Sequence, residues 1–297
     1  MQVIVAGGTG FLGQALIQRL RGAGHTVAVL TRRATPGATD QIAWQPDGTA
    51  GEWKRALDRA DAIVNLAGEG IADSRWSEAR KQALRTSRIL PTRSLVSAMR
   101  TVAHRPPVFV SASGIGYYGD RRTEVVTEHT PAGSDFLAGL CVEWEAEALQ
   151  ASDLARVATL RSGLVLHPSG GALGRMLLPF RIGVGGRLGS GTQYLSWIHR
   201  DDWTRLVEWI LATPAAQGAF NVTSPQPVTN AEFTRALGRA LHRPTLLTVP
   251  AAALRLAFGE LADTLLTGQR AVPERAEQLG FRFQYAGMDD ALQQLLR

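Results

Sequence analysis

Residues 3–13 read VIVAGGTGFLG. Three glycines, Gly7, Gly10 and Gly13, fall three apart, after a short β-branched run and at the head of an amphipathic one. Small residues at that spacing let a backbone turn tightly and approach a pyrophosphate, whose charge meets the free N–H groups and positive end of the helix that follows. The stretch therefore predicts a strand, a turn and a helix holding a dinucleotide, with Thr9, Phe11 and Leu12 at the contact beside the glycines.

The same alternation continues outward. Apolar runs at Gln2–Ala6, Thr26–Thr31, Ala62–Leu66, Val108–Ser113 and Ala158–Arg161 read as strands, and Phe11–Gly22, Ser77–Met99 and Phe136–Ala151 as helices with apolar residues three and four apart. Strands alternating with helices predict an α/β protein, a Rossmann-like doubly wound parallel sheet. After Arg161 the texture changes: Gly163–Thr192 is dense in glycine around the apolar Met176–Ile182, which reads as an irregular loop and short helix at the mouth of a site. SWIHRDDWTRLVEWIL and GAFNVTS then return to strand and helix, and the tail from Thr229 mixes helical stretches with Pro244, Pro250 and Pro273. The expected division is a nucleotide-binding domain over 1–162, completed by segments near 193–224, and a smaller lobe from 163–192 and 225–297, with a cleft between.

The second strand ends VLTRR, at Thr31, Arg32 and Arg33, where an acidic residue would recognise a ribose 2′-hydroxyl. Arginine pairs bidentately with a 2′-phosphate that a carboxylate would repel. NADP is expected over NAD, with Arg32 the stronger contact. Leu66, Ala67 and Gly68 of VNLAGEG are small or apolar enough to line the adenine-ribose channel.

Bulk composition narrows the rest. The 297 residues are 45% hydrophobic and 20% charged, enough for a sizeable core. No apolar run approaches the roughly 18 residues of a membrane helix and no basic-then-apolar leader opens the chain, which reads as cytoplasmic. The net charge of +6 is scattered, without interleaved aromatics, so no nucleic-acid partner is expected; only Lys54 and Lys81 among the 32 basic residues are lysine. The single cysteine, Cys141, rules out an internal disulfide and a multi-cysteine metal site. Nothing fixes an oligomeric state.

GGTGFLG, NLAGEGI, Arg75–Trp76, SASGIGYYG, Trp144–Glu145, LRSGLVL, GGALGRMLLPFRIGVGG, GSGTQYLSWIHRDD and the tail with HRP, VPAAALR and GE span nearly the whole chain. Through them the chain resembles the extended, atypical short-chain dehydrogenase/reductase superfamily, and within it the NAD-dependent epimerase/dehydratase-like "epimerase family proteins" that end in a small extra C-terminal domain. The resemblance implies a serine after the fifth strand, here Ser113, and a Tyr-x-x-x-Lys pair in which lysine lowers the tyrosine pKa and holds the ribose. That pair is missing. Matched on Glu145, Leu137 falls on the tyrosine and Cys141 on the lysine, and none of Tyr117, Tyr118, Tyr194 and Tyr285 has a lysine four residues on.

Candidates to replace it carry two readings each. Tyr117 or Tyr118 is a proton donor or an aromatic wall; Cys141 faces the nicotinamide or is a packed apolar thiol. Glu69, Arg75 and Trp76 form a rim for a polar substrate, or Glu69 and Arg75 a plain salt bridge. Arg88 contacts cofactor or substrate, or is solvated. His199, Asp201 and Asp202 suit a helix-capping, domain-joining element, with Asp202 as cap, better than a metal site. Two functions are consistent with this: an NADP(H)-dependent oxidoreductase or epimerase-like enzyme on a small polar substrate, with Ser113 orienting the reacting oxygen, or a non-catalytic NADP(H)-binding regulatory protein.

Overall fold

A computed structural model describes all of residues 1–297. Its centre is a sheet of seven parallel strands, β1 (Gln2–Ala6), β2 (Thr26–Thr31), β3 (Gln41–Ala43), β4 (Ala62–Asn65), β5 (Val108–Gly114), β6 (Arg156–Ser162) and β7 (Gly218–Val222). Their order is β7-β6-β5-β4-β1-β2-β3. The chain winds one way from β1 to β3, then returns to the far side of β1 and winds the other way, so a crevice opens beyond the strand ends between β1 and β4.

Ten helices pack around it: α1 (Phe11–Gly22), α2 (Glu78–Thr101), α3 (Phe136–Leu149), α4 (Gly171–Arg181), α5 (Arg200–Ala212), α6 (Asn230–Leu241), α7 (Ala251–Phe258), α8 (Leu261–Leu266), α9 (Glu274–Gln278) and α10 (Met288–Leu295). The period-two geometry of β1 divides the core. Val3 and Val5 point to one face, with Leu16 and Leu20 of α1 and Trp203, Leu206 and Ile210 of α5. Ile4 and Ala6 point to the other, with Trp44, Trp53, and Leu95 and Met99 of α2. A third cluster, built on Leu173, Leu177, Phe180, Phe233, Leu237 and Leu292, holds the C-terminal elements together.

The anticipated elements form, with shifted ends. Ser77 lies outside α2 as its cap, its hydroxyl accepting from Arg80 N–H at 3.2 Å, and the helix runs on to Thr101. Strand β6 is longer than expected because Arg156 and Val157 extend its ladder with β5. Gly163–Thr192 is more ordered than a loop: it contains α4 and two short strands, Leu164–Leu166 and Gly186–Leu188, each paired with a distant segment. No helix is long and apolar enough to cross a membrane.

Candidate functional site

The site grows from the turn between β1 and α1. Gly7 has φ +77°, a backbone conformation that L side chains rarely adopt, and a Cβ there would lie 2.5 Å from the Leu66 carbonyl oxygen. A Cβ on Gly13 would lie 2.4 Å from the Gly7 carbonyl oxygen. These two glycines are thus internal, letting the turn, the helix and the end of β4 close on one another. Gly10 differs: a Cβ there meets only the Gly7 oxygen, at 3.4 Å, and otherwise open space. No side chain caps α1, so its first-turn N–H groups stand open beside the exposed Thr9 and Gly10. That free positive helix end, with Phe11 and Leu12 half-buried beside it, fits a pyrophosphate.

At the end of β2, Thr31 is buried and exchanges hydrogen bonds of 3.3 Å with the Arg33 backbone, leaving Arg32 and Arg33 exposed and free of carboxylates. At the end of β4, buried Asn65 braces the turn that follows: its Oδ1 accepts from Ala67 N–H at 3.2 Å, and its amide donates to Thr92 at 2.9 Å. Leu66 and Ala67 are half-buried and Gly68 is exposed. Arg88 is not solvated. It is 6% exposed, lies beneath Gly68 and donates to the Glu69 carbonyl at 2.8 Å.

Beyond β5 lies a buried polar network. The Ser113 hydroxyl donates to Glu145 Oε1 at 2.7 Å, and Arg161 grips both oxygens of the same carboxylate at 2.8 Å each. Arg161 also donates to the Tyr118 hydroxyl at 2.9 Å and the Glu128 carbonyl at 3.2 Å, and its guanidinium lies 3.5 Å from the centre of the Tyr117 ring. Burial works against the Arg161 charge, but the Glu145 carboxylate prevails and holds it more firmly protonated than usual. Arg161 was not anticipated as a site residue, because its strand, RVATLRS, also carries Arg156, Thr159 and Ser162 and so does not mark it out.

This network corrects the reading of Tyr118 as a proton donor. Its ring is fully buried, its hydroxyl donates to Asn221 Oδ1 at 2.6 Å, and burial pushes its pKa up to about 12. Tyr117 is the half-exposed phenol of the pair. Cys141 is packed, with its Sγ 3.9 Å from where a Gly114 Cβ would sit; burial, then the Glu145 charge, push the thiol up to about 11. Leu137 fills the space against Gly116, where a Gly116 Cβ would come within 3.2 Å of it.

The proposed rim also needs correction. Glu69 pairs with Arg80 and not with Arg75. Arg75 instead donates to the carbonyls of Leu256 and Ala257 at the end of α7. Trp76 packs edge-on against Phe136 at 5.2 Å. Other residues after β4 are likewise tied to later elements: Arg175 of α4 holds Ala72 and Asp73, and Lys81 meets Glu260, just after α7, at 2.6 Å. Nor is Asp202 the cap of α5: His199 caps it by accepting from Asp201 N–H at 3.0 Å. The Asp202 carboxylate takes the N–H groups of Gln284 and Tyr285 and so joins the C-terminal segment to α5. No three His, Cys, Asp or Glu side chains gather as metal ligands would.

Known proteins resemble the chain over nearly its whole length. "Epimerase family protein Mb2239" of Mycobacterium bovis is 47% identical over 293 residues, covering 98% of this chain and 96% of its own. "Epimerase family protein SDR39U1 homolog, chloroplastic" of Arabidopsis thaliana is 42% identical over 305 residues, covering 100% and 87%. The crystal structure of human epimerase family protein SDR39U1 (isoform2) with NADPH superposes with a TM-score of 0.93 at 37% identity, covering 100% of this chain and 99% of that one. Residues 249–295 match a domain of unknown function (DUF1731). With residues 3–223 matching its pattern, the chain belongs to the NAD dependent epimerase/dehydratase family.

Proposed function

We propose that this protein binds NADP(H) and acts as an oxidoreductase or epimerase-like enzyme on a small polar substrate. The observation that carries the reading is the uncapped, glycine-lined start of α1 set beside a β2 end with two free arginines and no acid. The NADPH bound to the human relative supports it. Gly7, Gly10 and Gly13 let the backbone approach the pyrophosphate, the open N–H groups of Phe11 and Leu12 bind it, and Thr31 and Arg32 meet the 2′-phosphate. When bound, the nicotinamide supplies or accepts a hydride. Ser113 orients the reacting oxygen: its hydroxyl proton, directed at Glu145 in the free protein, can turn to a substrate carbonyl oxygen, and its lone pairs can accept from a substrate hydroxyl. Tyr117 or water completes proton exchange with solvent.

Titration with NADPH and NADH tests the cofactor half, with at least about tenfold preference for NADPH, or about 1.4 kcal/mol, expected and reversed in Arg32→Asp. Equal affinities would sink it. For the chemical half, a carbonyl and enone screen is expected to find slow NADPH oxidation that Ser113→Ala diminishes while NADPH affinity stays within about twofold. A second reading, a non-catalytic NADP(H)-binding regulator, is favoured by the sealed Tyr118 and the neutral thiol of Cys141 at the tyrosine-lysine helix. Complete inactivity across the screen, together with an open or solvent-filled nicotinamide pocket in a cofactor-bound crystal, would decide for it.

A further inference from the structure

Acidic residues are missing from two long stretches of the chain: none occurs between Asp153 and Asp201, and none between Glu232 and Glu260. The fold brings these stretches together. The short strand Gly186–Leu188 runs parallel to Leu247–Val249, with Gly186 opposite Leu247. At the end of α6, His242 takes the left-handed conformation, φ +53°, and turns the chain back towards α4. Arg243 Nε then donates to the Arg181 carbonyl, at the end of α4, at 2.8 Å. The end of α4 and the segment after α6 therefore border one surface of the C-terminal lobe.

That surface is apolar and cationic at once. Leu178 and Ile182, one helical turn apart at the end of α4, are 68% and 65% exposed, and Leu246 across from them is 91% exposed. Val184 and Leu247 are half-exposed. Single exposed apolar residues are ordinary, but five large ones on two paired segments mark an interaction surface. Arg181, Arg187 and Arg243 stand among them. The guanidiniums of Arg187 and Arg243 donate only to neutral oxygens, that of Thr248 at 3.0 Å and the Arg181 carbonyl. Beside them opens a cavity of about 570 Å³, lined by Arg181, His242, Arg243 and Arg297 and by no acidic side chain.

We propose that this face docks on a lipid bilayer bearing anionic headgroups. Leu178, Ile182, Val184, Leu246 and Leu247 enter the boundary between headgroups and acyl chains, and lipid phosphate settles in the cavity against Arg181 and Arg243. Arginine lays its stem along apolar neighbours while its guanidinium reaches a phosphate, which suits cations interleaved with leucines. The apolar side chains project singly, and a fluid surface receives such knobs without matching holes. A second copy of the chain fits worse, because like faces would set arginine against arginine. The contact is peripheral, since no helix is long and apolar enough to cross a membrane.

Cosedimentation of the full chain with vesicles of phosphatidylcholine, with and without about one-third phosphatidylglycerol, tests this. The wild type is expected to bind the anionic vesicles alone, and less tightly as salt rises. Leu178→Ser/Leu246→Ser should weaken binding at least about tenfold. Arg181→Gln/Arg243→Gln should weaken it about thirtyfold. Leu149→Ser, at a half-exposed position on α3, should stay within about twofold of the wild type. Should the arginine pair not fold, Arg181→Gln alone decides, because it keeps the carbonyl that Arg243 holds: a loss of about fivefold supports the proposal, and no loss overturns it. Equal binding to both vesicles, or none to either, overturns it. A serine pair that binds like the wild type overturns it too, leaving a site for free anions only. So does a dimer, seen by sedimentation velocity without lipid, that the serine pair dissolves while vesicles bind neither protein.

Discussion

Arg161→Met removes one half of the most buried ion pair in the protein. The Arg161 and Glu145 side chains are 6% and 8% exposed. The substitution deletes both 2.8 Å bonds to Glu145 and the donor to Tyr118, leaving the carboxylate buried with Ser113 as its remaining partner. Breaking a buried pair by deleting one partner costs about 3–5 kcal/mol, most of it from the stranded charge. At roughly 2–4 °C per kcal/mol for a protein of this size or a little smaller, the midpoint should fall by roughly 6–20 °C. The double variant Arg161→Met/Glu145→Met leaves no stranded charge and should recover most of the loss, because apolar replacement of both partners is often close to neutral. Urea denaturation of the four proteins in a double-mutant cycle measures this, and a coupling energy of about 3 kcal/mol is expected. A single variant costing less than about 1 kcal/mol, or a double variant costing the sum of the singles, would refute the view that the carboxylate depends on Arg161.

Gly10→Val should fold, since φ −77° suits any residue and a Cβ has room, with a loss of about 1 kcal/mol from a poorer cap. Its thermal shift with saturating NADPH should vanish, and a shift equal to the parent's would mean the phosphate lies elsewhere. Glu128 provides a pH test. Burial raises its pKa above the usual 4.5, so its contribution is fully present below the unfolded value and is lost as pH rises through the folded one. Glu128→Gln keeps an acceptor for the Asn221 N–H, and its midpoint should decline less than that of the wild type as pH rises from 4.5; parallel curves would contradict this.

The features legible in the sequence were those whose cause is local. Gly7, Gly10 and Gly13 announce their turn because backbone geometry between neighbours demands them, and β1 announces itself because both its faces are covered by apolar residues. The sequence could show that a tyrosine-lysine pair was absent, because absence needs no fold to be seen. It could not show what stands there instead. Glu145 and Arg161 are 16 residues apart, on a helix and a strand, and meet only when α3 packs against the sheet. Tyr117 and Tyr118 are adjacent and chemically alike; a turn of helix, Ile115–Tyr118, sends one into the core and leaves the other half exposed. The sequence offers Arg75 a place on a substrate rim or in a salt bridge with Glu69, but it serves the carbonyls of a helix some 180 residues away, a pairing no local pattern encodes.

That tie from Arg75 to α7, with those of Asp73 to α4 and Lys81 to Glu260, belongs to the same piece of chain as Leu66–Gly68. The ties to α4, α7 and Glu260 and the end of β4 are therefore one continuous ribbon. Strain placed on any of the three ties is thus carried along the backbone to the end of β4.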